Sequence, residues 1–205
     1  MSIKFNKKKG WLNNLISCLK LNFVFYLVFF VLGLYLSLIS KDLYRGIFTL
    51  LFCTLFSYFS HRLSHRIFPL NYKYFHILHH NSKYNKKWWA ELIECIVNLI
   101  QIGCIILIPI NILIEKYTNI KLFINYLILY FSLVYTSTHM INYHLLDVNT
   151  HRVHHEDTNT NYGPDYVDIL FNTKSENSTF EDMNSTIINA LVSAIVVMII
   201  IIKYN

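Results

Sequence analysis

Long uncharged stretches separated by short polar segments run through this chain, and the longest have the length of membrane-crossing helices. A helix of about 20 residues rises about 30 Å, which is the thickness of the hydrocarbon core of a bilayer. The uncharged apolar runs are 21–40, 46–60, 95–114, 122–138 and 183–202. The run 46–60 is short for a span. This pattern predicts an all-α integral-membrane protein, a helical bundle of four to five transmembrane helices.

The runs divide the chain into three parts. Residues 1–20 are rich in lysine and contain no acidic residue, so we interpret them as a basic cytosolic N-terminus. A cleaved signal peptide is the competing interpretation, but no small-x-small cleavage site follows the first run. Residues 21–182 form the predicted membrane domain. Residues 183–205 form a C-terminal hydrophobic helix, either a fifth span or a helix packed along the membrane surface.

Composition supports a membrane class and argues against two others. Hydrophobic residues make up 54% of the 205 residues, and the mean hydropathy is +0.37. The net charge of +6 does not indicate nucleic-acid binding, because the basic residues flank apolar runs and form no long stripe. Cys18, Cys53, Cys95 and Cys104 lack paired spacing, so a disulfide framework or a cysteine zinc site is not expected.

The candidate chemistry lies in the ten histidines, which occur in clusters. A single histidine is usually a surface or core residue, whereas box spacing on a helix, at about 100° per residue, directs several imidazoles to one stripe. Such clustering predicts a metal site. The first box is His61-x-x-x-His65, the second is His76-x-x-His79-His80, the third is His151-x-x-His154-His155, and His139 and His144 precede the third.

Imidazole suits Fe, Zn, Cu and Ni, and ten ligands are too many for one ion but suit two. Two redox-active irons beside a membrane would activate dioxygen against a C–H bond of a lipid, although spacing alone does not separate iron from zinc. His144 can share a metal with His139 only if the helix between them ends. It lies five residues after His139, which is about 140° away on a helix.

The number of spans predicts which side of the membrane the histidines occupy. Two spans before the first two boxes, and two more before His139, would place every histidine on the same side, which the flanking lysines and arginines assign to the cytosol. Glu91 and Glu94 precede the run 95–114. We interpret them as headgroup residues, with a polar cavity as the alternative.

The boxes, in this order between apolar runs, resemble the fatty acid hydroxylase and sterol desaturase superfamily of integral-membrane di-iron oxygenases. The resemblance includes Ser60-His61-Arg62, His139, and Asn161-Tyr162-Gly163 followed by Asp168-Ile169-Leu170-Phe171-Asn172-Thr173. That last stretch is similar to a family pattern in which N-Y-G leads to W-D-x-x-F-G-T. Val167 stands where the family usually has Trp, and Asn172 stands where it has Gly.

The resemblance implies a cytosolic helical cap over a four-span bundle, with the histidine-cluster dimetal site held between them. It also implies O2-dependent hydroxylation or desaturation of a fatty acyl chain, a sterol or a related lipid by two Fe ions, for which Zn is a possible substitute. Electrons would come from a separate haem or flavin protein. The endoplasmic reticulum would fit a eukaryotic member.

Polar residues near the third box are candidates for orienting the metal ligands. Asn161, Asp165 and Asp168 are expected around the site. Four carboxylates are expected to accept hydrogen bonds from ring nitrogens that do not bind metal, with surface solvation as the alternative, and they are Asp165, Asp168, Glu156 and Asp157. Asn161 also fits a simple turn. A non-catalytic protein that binds or transports metal, and a pseudoenzyme, remain open as alternatives, and the sequence leaves the lipid substrate and the oligomeric state undetermined.

Overall fold

The computed structural model describes residues 3–67, 80, 83–84, 87–102, 106–146 and 148–204, and the regular structure in these ranges is helical. The α-helices are α1 (Trp11–Leu21), α2 (Phe23–Ile39), α3 (Leu43–Ile67), α4 (Trp88–Ile102), α5 (Leu107–Thr118), α6 (Asn125–Met140), α7 (Asn149–Glu156), α8 (Asp165–Leu170) and α9 (Ile187–Tyr204). Short 3-10 turns cover Lys7–Lys9 and Met183–Thr186, and a π-helical turn covers Ile141–Leu145. The prediction of an all-helical protein is confirmed.

Two helical stretches are long and apolar enough to cross a membrane. They are Leu43–Arg66 and Met183–Tyr204. The helices α1 and α2 make a third candidate only as a pair, and they are bent by 74° at Asn22. The described residues therefore provide two or three candidate spans, fewer than the four to five expected from the apolar runs.

The apolar run 95–114 is not one helix, contrary to expectation. Helix α4 ends at Ile102 and α5 begins at Leu107. Pro109 lies in the first turn of α5, where its missing N–H costs no helical hydrogen bond, whereas in the middle of a continuous helix it would break one. The run 46–60, in contrast, belongs to a helix that is longer than the run itself. Helix α3 begins before residue 46 and continues through the first box.

Helices α2, α3, α6 and α9 form the apolar core. Phe29 of α2 stacks on Tyr130 of α6 with ring centroids 5.3 Å apart. Gly46 lets α3 approach α2 closely, because a β-carbon there would collide with the side chain of Ser37. Helix α9 packs against both α2 and α6 and buries Ala190 in the core. The C-terminal hydrophobic helix is thus an integral part of the bundle.

The far end of the bundle is marked by polar contacts at the start of α6. Asn111 of α5 donates to the carbonyl of Phe123 at 3.1 Å and to the side chain of Asn125 at 2.7 Å. Thr49, near the start of α3, accepts from the N–H of Ile124 at 3.1 Å. The chain therefore reaches the far end through α4 and α5 and returns along α6.

The opposite end, which we call the histidine end, contains the ends of α3 and α6 and the starts of α2 and α9. Asn22 donates to the carbonyl of Glu181 at 2.9 Å and accepts from the N–H of Met183 at 2.8 Å, joining the two helix starts. The basic N-terminal segment also packs here, because Phe5 contacts Phe180 edge to face and α1 packs on α8. These contacts bring the first and last thirds of the chain to the same end.

Candidate metal centre

Four histidines form a compact group at the histidine end. Each offers one ring nitrogen, and the four nitrogens all lie within 4.8 Å of one another. His61 and His65 come from consecutive turns of α3, His154 comes from α7, and His80 comes from the second box. The first, second and third boxes, far apart in sequence, thus meet at one point, which we call the four-histidine group.

Main-chain carbonyls fix the orientation of two of these rings. Nδ1 of His61 donates to the carbonyl of Tyr162 at 2.8 Å, and Nδ1 of His154 donates to the carbonyl of Thr160 at 2.6 Å. A carbonyl oxygen can only accept, so the proton of each neutral ring lies on Nδ1. Nε2 of both rings therefore presents a lone pair to the centre of the group.

The spacing of the Nε2 atoms fits a bound cation. Nε2 of His65 lies 3.2 Å from Nε2 of His61 and 3.1 Å from Nε2 of His154. A single proton on Nε2 of His65 can be donated to only one of these two neighbours, whereas a metal ion can be shared by all three nitrogens. Two nitrogens bound to one ion at about 2.1 Å are about 3.0 Å apart at a right angle and about 3.4 Å apart at a tetrahedral angle. The residues therefore fit a metal ion coordinated by imidazole.

Further histidine rings extend away from the four-histidine group. The ring of His80 stacks on that of His155 with centroids 4.2 Å apart, and His155 lies 4.3 Å from His151. His151 in turn lies 5.3 Å from His139 at the end of α6. The third box therefore divides, with His154 in the four-histidine group and His151 and His155 leading toward His139.

Glu94 lies next to His139 and is completely buried. Its Oε1 atom is 3.4 Å from Nε2 of His139, and its exposed fraction is 0%. Packing of α4 against α6 brings the two side chains together. The interpretation of Glu94 as a headgroup residue is therefore wrong. The alternative, a carboxylate facing a polar site, describes it correctly.

Three of the predicted ligands cannot be placed. His76 and His79 of the second box lie outside the described residues, and so does the side chain of His144. The backbone around His144 is informative, however, because α6 ends at Met140 and a π-helical turn follows. In a π-turn, hydrogen bonds join residues five apart, so the α-helix ends between His139 and His144, which is the condition under which both were predicted to face one metal.

Asp168 and Asp165, two of the carboxylates expected to hold histidine rings, have other partners among the described residues. Asp168 accepts from the N–H groups of Tyr162 at 2.9 Å and Gly163 at 2.7 Å, and from the hydroxyl of Thr173 at 2.7 Å. Since the carbonyl of Tyr162 accepts from His61, Asp168 supports the site through one turn of main chain. Its pKa is raised to about 6 by burial, against the lowering effect of Lys174.

Asp165 and Asn161 also hold the main chain in place, and no ring nitrogen is among the partners that the described residues give Asp165. Asp165 accepts from the ammonium of Lys174 at 2.6 Å and from the N–H of Glu181 at 2.7 Å. The side chain of Asn161 accepts from the N–H of Ser175 at 3.0 Å. Sequence reasoning missed the carbonyls of Tyr162 and Thr160, since main-chain acceptors leave no signal in residue types.

The two departures from the family pattern have structural explanations. Asn172 adopts a φ of 55°, in the left-handed region where asparagine is the residue most tolerated after glycine. Asn161 has the same φ of 55°. Val167 is buried in a cluster with Tyr58 and Tyr162, so a smaller apolar side chain fills the position usually held by Trp.

A cavity of about 90 Å³ reaches from the histidine end into the apolar bundle. His61, His139 and His151 line it on one side. The apolar wall comes from α2 and α6 and consists of Phe25, Phe29, Phe30, Phe131, Val134 and Tyr135. An apolar ligand in this cavity would lie against the candidate metal ligands, and sequence periodicity alone did not indicate this cavity.

Comparison with protein families identifies a family to which this chain is similar. The model of the family described as "Fatty acid hydroxylase" matches residues 46–173, which include all three boxes and the turn at Tyr162. Searches of curated proteins and of solved structures returned no match.

Proposed function

Because the chain belongs to the fatty acid hydroxylase family, we propose that it is a membrane-bound di-iron oxygenase that hydroxylates or desaturates a lipid. The substrate would be a fatty acyl chain, a sterol or a related lipid, and O2 would be the co-substrate. Electrons would come from a separate haem or flavin protein. The observation that carries the proposal is His61, which belongs to the four-histidine group and also lines the apolar cavity.

The residues of this chain supply binding and orientation. Iron bound at the histidines would supply the redox chemistry for activating O2. His61 and His154 are held by main-chain carbonyls in the tautomer whose Nε2 lone pair can bind a metal. The aromatic wall of the cavity excludes water and favours hydrocarbon, so the lipid chain would lie with a C–H bond near the ligands.

We further propose that the histidine end faces the cytosol and that four or five helical passes cross the bilayer. Two observations support this. Lys7–Lys9 lies in the N-terminal segment that packs at the histidine end, and α4 and α5 together reach the far end. The pair of short helices then replaces the single span expected from the run 95–114.

The test is to purify the protein in detergent from iron-supplemented cells and measure metal content, Mössbauer spectra and cellular lipids. We expect two irons per chain and an oxidised lipid. His154→Ala removes a ligand from the four-histidine group, so bound metal and lipid product should both be lost. Asn159→Ala, in the exposed loop beside it, is the matched control and should retain both.

Full activity of His154→Ala would overturn the site assignment. Two zinc ions that persist after anaerobic iron reconstitution, without oxygen consumption, would instead support the non-catalytic metal-binding alternative.

A further inference from the structure

Glu94 stands out because a completely buried carboxylate lies beside a candidate metal ligand. It lies in the second turn of α4, and its Oε1 atom is 3.4 Å from Nε2 of His139 on α6. Nothing in the box spacing assigns it a role, since it lies 14 residues beyond the second box. The question is what compensates its charge.

A buried carboxylate is costly unless a positive charge accompanies it. His139 provides that charge if it is protonated, but a histidine that binds a metal is neutral. If His139 is a ligand, as its position next to His151 indicates, its neutral ring does not supply this charge. A divalent ion shared by His139 and Glu94 supplies it.

The distance between the two side chains agrees with this arrangement. An oxygen and a nitrogen bound to one ion at about 2.0–2.1 Å are separated by about 3.0–3.4 Å, depending on the angle between them. The observed 3.4 Å lies at the upper end of that range. Helix α7 adds His151 next to His139, so three elements of the fold converge at this second position.

We propose that Glu94 is a carboxylate ligand of the second metal ion, next to His139. This inference rests on the proposed function, because it needs a second ion. It makes the two metal positions chemically different, with only imidazoles from the four-histidine group at one and a mixture of imidazole and carboxylate at the other. The harder oxygen donor and its negative charge stabilise the more highly charged state of the ion that it binds.

Glu94→Gln tests the assignment, because glutamine has nearly the same shape and can still form a hydrogen bond with His139. As a ligand it is much weaker than a carboxylate. We expect bound iron to fall from two to about one per chain, with loss of one of two distinct Mössbauer doublets. Glu94→His, which restores a ligand atom, should bind two irons with altered spectral parameters.

Glu115→Gln is the matched control, since Glu115 lies on α5 in an exposed pair with Lys121 at 3.4 Å. It should bind two irons like the wild type. If Glu94→Gln also binds two irons with an unchanged spectrum, Glu94 serves only as a hydrogen-bond partner and the proposal is overturned. If the wild type binds fewer than two irons, the di-iron function itself fails.

The wild type provides an independent readout if the variants do not fold. In protein labelled with carbon-13 at glutamate carboxylates, the infrared difference between metal-loaded and metal-stripped samples should show a shifted carboxylate band. Absence of any shifted glutamate band would overturn the proposal without reference to a variant.

Discussion

At the scale of single residues, the histidine rings are oriented by the main chain of one turn. The carbonyls of Thr160 and Tyr162 accept from His154 and His61, and the carboxylate of Asp168 holds the N–H of Tyr162. The N-Y-G segment therefore orients two rings of the candidate metal centre through its main chain and the main chain beside it. A residue that positions this turn should affect metal binding through His61.

Asp168 makes the stability of this turn dependent on pH. Burial raises its pKa to about 6 from the ordinary value of 3.8. Between these values the unfolded chain has lost the proton that the folded chain retains, so stability falls as pH rises through this window. The shift of roughly two pH units corresponds to about 3 kcal/mol.

Asp168→Asn isolates this effect, because asparagine does not titrate and the histidines contribute equally to both proteins. We expect the unfolding free energy of the wild type, relative to the variant, to decrease by about 2 kcal/mol between pH 4 and pH 6, which is most of the total of about 3 kcal/mol. Denaturant titrations of metal-free protein in detergent measure this unfolding free energy. The exposed Asp157→Asn is the control. If the stability of the wild type relative to the variant instead rises with pH, the three hydrogen bonds lower the pKa of Asp168 by more than burial raises it.

At the scale of elements, the packing of α2 against α6 creates the cavity beside the histidines. Val134 of α6 lies on the cavity wall and is almost completely buried. Val134 lies about one and a half helical turns before His139, and both residues line the cavity. A larger side chain at position 134 therefore tests whether a lipid chain reaches the histidines through this cavity.

Val134→Phe should fill part of the cavity and reduce the lipid product by about tenfold or more, while both irons remain bound, because the ligands are untouched. Lipid analysis and metal content of the same preparation measure the two effects. Val197→Phe adds the same volume to the core on α9, away from the cavity. Loss of product in both variants, together with loss of folded protein, would indicate overpacking instead of a blocked substrate site.

At the scale of the whole molecule, the fold collects the described histidines at one end and leaves hydrophobic surfaces on the helices around the core. Helix α9 shows this, with Ala190 and Val197 in the core and Ile188 and Ile199 exposed. Exposed apolar side chains of this kind suit contact with lipid. The bundle thereby provides both an apolar outer surface and a cavity that reaches the candidate metal centre.

The orientation of α9 can be tested with single cysteines in a variant whose native cysteines are replaced by serine. If α9 spans the bilayer, Lys203→Cys should react with an impermeant thiol reagent from the same side as Tyr117→Cys, at the end of α5. Lys8→Cys, in the segment packed at the histidine end, should react from the opposite side. Labelling of Lys203→Cys together with Lys8→Cys would place α9 along the membrane surface.

The sequence by itself determined the class of the protein and its candidate chemistry. Apolar runs predicted helices because burying a peptide backbone in lipid demands internal hydrogen bonds, and the box spacing predicted clustered imidazoles because side chains three and four apart share a helix face. The family resemblance, carried by the boxes and the N-Y-G segment, is confirmed by the match over residues 46–173.

Tertiary structure alone decided the contacts between distant segments. The burial of Glu94 beside His139 depends on how α4 packs on α6, and apolar periodicity does not specify which faces meet. The roles of the Tyr162 and Thr160 carbonyls depend on backbone direction, which residue types do not encode at long range. The position of α7 between the ends of α3 and α6 likewise divides the third box. His154 contacts His65 of α3, whereas His151 contacts His139 of α6.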